Sequence, residues 1–197
     1  MVNASSPFFA YVSRLRWIKR WGLMRNAIEE NVATHSWEVA TLAHALALIR
    51  NRHFGGQANA DRIAAAALYH DATEVITGDM PTPVKYHSRV MREAFGDIEH
   101  KAEAELLALL PEDLRADFSP YVRESRLPAE DRELIKAADR LSAWLKCQAE
   151  IRAGNKEFEP AARQIRARLE EDGLREVAYF MSVFAPSYEQ PLDNLLE

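Results

Sequence analysis

Leu68-Tyr69-His70-Asp71-Ala72-Thr73-Glu74 closes an alanine-rich helical pattern, Ile63-Ala64-Ala65-Ala66-Ala67, and sets an imidazole beside a carboxylate. A second carboxylate, Glu74, follows one helical turn later. Two adjacent metal-ligand types at the inward end of a helix are hard to explain by packing alone. Neighbouring residues on a helix diverge by roughly 100°, so His70 and Asp71 reach one ion only if it lies off the helix face, between their two directions. Glu74 shares that edge. The other ligands must then come from elsewhere in the chain.

The segment Glu29-Glu30-Asn31-Val32-Ala33 leads into Thr34-His35-Ser36-Trp37-Glu38, which reads as an N-cap and first turn. That helix continues through Val39, Leu42, Ala43, Leu46 and Ile49, and His35 is in phase with its apolar face. His70 faces inward in the same way, in phase with Ile63 and Ala66 on a helix that Asn59 caps. His44 and His53 point elsewhere, and His87 and His100 lie in polar surroundings that suit a surface. Farther on, Asp139 falls beside the apolar stripe Leu134, Ile135, Ala138, Leu141 and Leu145. An aspartate next to a core is costly to bury without a partner, and Lys136, Arg140 or a metal could serve. The inward candidates are thus His35, His70, Asp71 and Asp139. Two imidazoles and two carboxylates suit a borderline divalent ion such as Mn²⁺, Co²⁺, Fe²⁺ or Zn²⁺, whereas a structural zinc site of the cysteine type needs thiolates.

The rest of the chain reads as helix and turn. Ser6 as N-cap and Pro7 at the first helical position start a helix with Phe8, Tyr11, Val12 and Leu15 at helical spacing, which runs on towards Gly22. Near its end, Arg14-Leu15-Arg16-Trp17-Ile18-Lys19-Arg20-Trp21 crowds four basic residues and two tryptophans, so an arginine there can face an anion while a tryptophan forms an apolar wall, as suits a phosphorylated sugar. The loop Thr77-Gly78-Asp79-Met80-Pro81-Thr82-Pro83 is stiffened by its prolines. It can offer Asp79, the Thr82 hydroxyl and free backbone N–H groups to a phosphate at little entropic cost. A long helix is expected from about Ser88 to Leu110, a short helix and loop over 111–127, a helix from Pro128 towards Gly154, and two more near Glu157–Glu171 and Leu174–Phe184. No strand-like alternation and no repeat is present, so the expected fold is all-α, with 1–197 as a single domain.

Composition bounds the function classes. The 25 basic and 30 acidic residues give a formal charge of −5, which argues against a nucleic-acid polymer as partner, since broad binding of that kind needs a basic surface. No apolar run approaches the roughly 20 residues of a membrane span. The start, Met1-Val2-Asn3-Ala4-Ser5-Ser6-Pro7, lacks the order of a secretory signal. A cytoplasmic protein is expected. The only cysteine, Cys147, reads as a small core residue.

The pattern H…HD…D over His35, His70, Asp71 and Asp139 resembles the HD-domain metal-dependent phosphohydrolase superfamily, whose helical bundle binds one divalent ion at these positions. The likeness narrows further. Met24-Arg25-Asn26, Glu30-Asn31-Val32-Ala33-Thr34-His35-Ser36, Tyr69-His70-Asp71-Ala72-Thr73-Glu74-Val75, Thr77 to Tyr86 and Lys136-Ala137-Ala138-Asp139 resemble the bacterial 5'-deoxynucleotidase family. Gly22 and Ala33 stand where that family carries proline and serine, and Met80 replaces a leucine. The resemblance runs from Phe8 to the tail. It implies hydrolysis of deoxyribonucleoside 5'-monophosphates, a homodimer, and a single ion, Co²⁺ or Mn²⁺ first, with Zn²⁺, Cu²⁺ and Fe²⁺ compatible. It also implies that Arg20 contacts the phosphate side and that Trp21 crowds the place of a ribose 2'-hydroxyl. Substrate would meet Arg20, Trp21, His35, Asp79, Met80, Pro81, Thr82 and Asp139.

The chemistry implied is attack by water that the ion activates. Glu74 is placed to orient or deprotonate that water, and Asp79 to help the leaving 5'-oxygen or order the substrate. Two rivals remain open on sequence. One is another HD phosphohydrolase, acting on a nucleoside triphosphate or a guanosine polyphosphate; the other is a helical module whose metal is structural. Glu74, Asp79 and Arg20 weigh against the second, because a structural site requires none of them.

Overall fold

The computed structural model describes residues 5–85 and 87–195; Met1–Ala4, Tyr86, Leu196 and Glu197 lie outside the described residues. The architecture is all-α. Its helices are α1 (Phe8–Val12), α2 (Val32–Phe54), α3 (Ala60–Tyr69), α4 (Glu74–Thr77), α5 (Thr82–Lys85), α6 (Arg89–Ala108), α7 (Arg115–Val122), α8 (Ala129–Arg152), α9 (Glu159–Glu171) and α10 (Arg175–Val183), with short 3₁₀ turns among them. No helix among the described residues is long and apolar enough to cross a membrane. The chain forms two compact units. One comprises Met1–Trp37 and Ala65–Pro128, the other Glu38–Ala64 and Ala129–Glu197.

In the first unit, Phe8, Ala72, Leu106, Leu107, Leu110 and Val122 form a buried cluster with Tyr69, Val75 and Phe118 packed against it. Phe8 and Phe118 meet edge to face with ring centroids 5.4 Å apart, a favoured aromatic geometry. This cluster anchors Tyr69 and Ala72, so the His70-Asp71 pair between them is held from both sides. In the second unit Leu134, Leu141, Phe158 and Cys147 are fully buried, the cysteine as expected. Buried Asp131 there meets Arg62 at 2.6 Å, and Glu150 accepts from Lys146 and from Asn155 at 2.8 Å.

Several boundaries differ from the sequence reading. Helix α1 stops at Val12 and relaxes into a 3₁₀ turn over Ser13–Trp17; the chain is extended by Ile18, at φ −91° and ψ 110°. The cause is a non-local backbone pairing. Val32 N–H donates to Ile18 O at 3.0 Å, Arg20 N–H donates to Glu30 O at 3.1 Å, and Lys19 and Asn31 form an antiparallel bridge. Arg20 and Trp21 therefore sit in the bend that follows this bridge, not at a helix end. Pro7 occupies the cap of α1, while the Ser6 hydroxyl donates to Leu109 O at 2.7 Å.

Helix α2 starts two residues before Thr34. Its cap is Asn31, whose Oδ1 accepts from Thr34 N–H at 3.0 Å while Thr34 Oγ1 accepts from Asn31 N–H at 3.3 Å. This reciprocal pair satisfies two donors that the helix end would otherwise leave open. Asn31→Ala is expected to lower stability by about 1 kcal/mol, read as a lower urea midpoint at unchanged slope. Asn59 caps α3 as expected, accepting from Arg62 N–H at 2.9 Å. That helix ends at Tyr69, so His70 to Thr73 form the turn that follows it.

Candidate active site

Helix α2 delivers His35 from its first turn, where its N–H donates to Asn31 O at 3.0 Å and its side chain is 1% exposed. The turn after α3 delivers His70 and Asp71. His35 Nε2 lies 3.5 Å and His70 Nε2 3.1 Å from Asp71 Oδ2, and the three ligand atoms lie within 4.8 Å of one another.

The tautomer of His70 follows from its other nitrogen. Nδ1 lies 2.7 Å from Ala67 O, and a carbonyl only accepts, so Nδ1 carries the proton. In the neutral ring the Nε2 lone pair then faces Asp71, and in the protonated ring Nε2–H faces it instead. Ring nitrogens of two histidines converging on a carboxylate are what a cation satisfies, and a backbone carbonyl behind a ligating imidazole, as at His70, is the usual support. The donor set, two nitrogens and one oxygen, thus fits a divalent ion.

Arg20 completes the charge balance. Its Nη1 lies 3.3 Å from Asp71 Oδ2 and its Nε 3.1 Å from Glu30 Oε2, with the side chain 13% exposed. Burial opposes ionisation of Asp71, but the charges of His70, His35 and Arg20 override it and hold the carboxyl well below the ordinary range. Glu74 goes the other way. Burial first, then the charges on Asp71 and Asp79, push it up to about 9. Its Oε2 is buried and meets no hydrogen-bond partner among the described residues. Burial also raises Asp79, against the pull of Arg20 and His35 and of a hydrogen bond from the Trp21 backbone.

Glu74 opens the single turn α4, and Gly78 ends it. Gly78 N–H donates to Glu74 O at 2.8 Å with φ at +71°, a conformation that favours glycine. This reversal sends the chain back as Asp79-Met80-Pro81. Met80 and Pro81 are half-buried, and Thr82 is exposed at the start of α5. The first unit thus brings together Arg20, Trp21, His35, His70, Asp71, Glu74 and Asp79. Asp139 lies half-buried on α8, in the second unit.

One residue of the site was not singled out from sequence. Glu30 Oε2 accepts from Trp21 Nε1 at 2.9 Å as well as from Arg20. Its partners are nine and ten residues away and joined by an irregular segment, so no local periodicity marks it.

The fold is the one seen in solved HD-domain phosphohydrolases. An HD-domain phosphohydrolase from Listeria innocua matches it with a TM-score of 0.80 at 23% identity, covering 92% of this chain and 87% of that one. The HD phosphohydrolase DatZ of cyanophage S-2L, solved bound to dA and one catalytic Zn²⁺ ion, matches with a TM-score of 0.66 at 19% identity, over 90% and 96%. Sequence narrows the class: the family described as 5'-deoxynucleotidase YfbR-like matches residues 7–188. The 5'-deoxynucleotidase YfbR of Shigella boydii is 50% identical over 190 residues, 96% of each chain. The chain belongs to the YfbR-like 5'-deoxynucleotidase family and is a hydrolase.

Proposed function

We propose that this chain hydrolyses deoxyribonucleoside 5'-monophosphates to deoxynucleoside and phosphate and discriminates against ribonucleotides. Family membership supports the activity. The observation that carries the chemistry is the convergence of His35, His70 and Asp71, with Arg20 on Asp71 and the high-titrating Glu74 beside them. His35, His70 and Asp71 hold the ion, and the resemblance assigns Asp139 as a further ligand. A bound divalent ion lowers the pKa of water and offsets charge on the phosphoryl oxygens.

The chain's own groups supply the rest. Glu74, once the positive charge of a bound ion has lowered its pKa and freed its carboxylate, would take up the proton of the attacking water. Asp79, held by the Trp21 backbone, orders the substrate or protonates the leaving 5'-oxygen. Arg20 adds a fixed positive charge on the phosphate side, with Met80, Pro81 and Thr82 lining the approach. Trp21 fills the space of a 2'-hydroxyl. The same resemblance supports a homodimer and Co²⁺ or Mn²⁺ as the activating ion ahead of Zn²⁺, Cu²⁺ or Fe²⁺, while length and composition support a single domain and a cytoplasmic location.

The test is phosphate release from a deoxynucleoside 5'-monophosphate and its ribonucleotide twin, using metal-stripped protein resupplied with Co²⁺, Mn²⁺, Mg²⁺ or Zn²⁺. Metal-dependent release is expected, with the deoxy compound favoured by about 100-fold, near the limit for a pocket that rejects an added hydroxyl by shape. Equal rates would remove the sugar gate. Pyrophosphate or tripolyphosphate released from other nucleotides, with no monophosphate cleaved, would favour a different HD phosphohydrolase.

A further inference from the structure

Arg20 and Trp21 are adjacent in sequence, and a single carboxylate oxygen serves both. Glu30 Oε2 accepts from Arg20 Nε at 3.1 Å and from Trp21 Nε1 at 2.9 Å. The two segments that carry them are tied by the Arg20 N–H to Glu30 O bond and by the Lys19–Asn31 bridge. The Glu30 side chain is 11% exposed. A carboxylate this deep is costly unless charged or N–H partners meet it, and the partners here are the two side chains assigned to the substrate.

The backbone of Trp21 points the same way. Its φ is +58°, the only positive φ at a non-glycine position among the described residues. Left-handed backbone is unfavourable for a residue with a large side chain, and persists where surrounding bonds enforce it. Here Trp21 O accepts from Met24 N–H at 2.9 Å and from Asn26 Nδ2 at 3.3 Å, which fixes the main chain. The indole still has its own torsions. The bond from Nε1 to Glu30 sets where the ring stands.

Arg20 extends the chain of contacts inward, since its Nη1 lies 3.3 Å from Asp71 Oδ2. Glu30 thereby sets the spacing between the indole and the carboxylate on which the histidines converge. A wall excludes a hydroxyl only if it cannot retreat by the width of that hydroxyl, and Glu30 prevents the retreat.

We propose that Glu30 is a positioning residue that determines sugar selectivity, acting through the Trp21 indole and the Arg20 guanidinium. The inference rests on the reading of Trp21 as the sugar gate. It assigns the sharpness of that gate to a residue on the facing segment.

The experiment measures kcat and KM for a deoxynucleoside 5'-monophosphate and its ribonucleotide twin in wild type, Glu30→Ala, Glu30→Gln, Trp21→Phe, Trp21→Ala and the double variant Glu30→Ala/Trp21→Phe. Thermal melting checks folding. Glu30→Ala is expected to lower the deoxy-to-ribo ratio of kcat/KM by about tenfold, to raise KM for both substrates, and to change kcat on the deoxy substrate less. Glu30→Gln keeps an oxygen acceptor at the same reach and is expected to restore most of the ratio. The double variant is expected to lose little more selectivity than Trp21→Phe alone, because both changes delete the Trp21–Glu30 bond.

A folded Glu30→Ala protein with the wild-type ratio overturns the proposal, as does one in which glutamine restores nothing. If Glu30→Ala does not fold, Trp21→Phe reads the same bond from its other end, and an unchanged ratio there overturns the proposal. Failure of the underlying reading looks different: Trp21→Ala would then keep the wild-type ratio, or wild type would release no phosphate from the deoxynucleotide.

Discussion

Asp71→Asn is expected to abolish tight divalent-ion binding and to lower phosphate release by about 1000-fold or more. The reason is geometric. Asp71 Oδ2 is the one atom that His35 Nε2, His70 Nε2 and Arg20 Nη1 all approach, at 3.5, 3.1 and 3.3 Å. Asparagine keeps the shape and removes the charge. Changing an outer partner of a metal site typically costs 10–100-fold in affinity, and the loss of a direct ligand's charge costs more. Ion content after dialysis and a chelator-competition titration would measure the binding, and phosphate release the turnover. Wild-type ion affinity in Asp71→Asn would place the ion elsewhere and remove the His-His-Asp assignment.

The same variant is expected to remain folded. Arg20 keeps Glu30 as a partner at 3.1 Å, so its guanidinium is not left buried against nothing. Its ring neighbours are likewise held by backbone. His70 Nδ1 retains Ala67 O, and His35 N–H retains Asn31 O. Loss of ion binding without loss of the helical circular-dichroism signal is the expected combination.

Much of this site was legible in sequence because its metal-binding part lies on helices or at their ends. His35 could be put on the apolar face of α2 by phase with Val39 and Leu42, and the structure buries all three. His70 could be put at the inward end of α3 by phase with Ile63 and Ala66. The first-turn boundary of α2 was harder: Asn31 and Thr34 are both good caps, and the choice depends on their mutual bonds. The Arg20-Trp21 segment was misread for a stronger reason. Its conformation depends on pairing with Glu30 to Val32, and cross-strand backbone bonds leave no 3.6-residue period to find. Glu30 was invisible for the same reason. A carboxylate in a run of polar residues looks solvated until its partners, nine and ten positions back, fold over it.

That division has a chemical counterpart. The helical part fixes ligands whose directions must hold within tenths of an ångström, and the Phe8–Phe118–Tyr69 aromatic cluster stiffens it from behind. The irregular segment carries Arg20 and Trp21, the groups proposed to meet the phosphate and the sugar. On the proposed reading, a selectivity wall held by Glu30 can be retuned by changing that one partner, without disturbing the proposed ligands.

Glu74→Gln is expected to keep the ion and to lose 100- to 10,000-fold in turnover, about the range that proton transfer by a positioned side chain supplies. Glutamine fills the same volume at the start of α4 and cannot take up a proton. The variant also predicts a change in stability with pH in metal-stripped protein. The folded-state pKa of Glu74 is about 9, above its ordinary 4.5. Between those values the folded chain holds a proton that the unfolded chain has lost, so stability falls as pH rises through the window. Below 4.5 both states are protonated and the dependence on Glu74 vanishes. Asp71 acts oppositely, its contribution being present above its ordinary 3.8 and lost as pH falls through its depressed value. Melting temperatures of stripped wild type are therefore expected to decline from pH 4.5 towards 9 more steeply than those of Glu74→Gln. Adding a divalent ion should reduce the difference, because a positive charge beside the carboxyl lowers its pKa and releases the proton. Parallel melting profiles for the stripped proteins would mean that Glu74 does not hold that proton, and full turnover in the variant would remove it from the reaction.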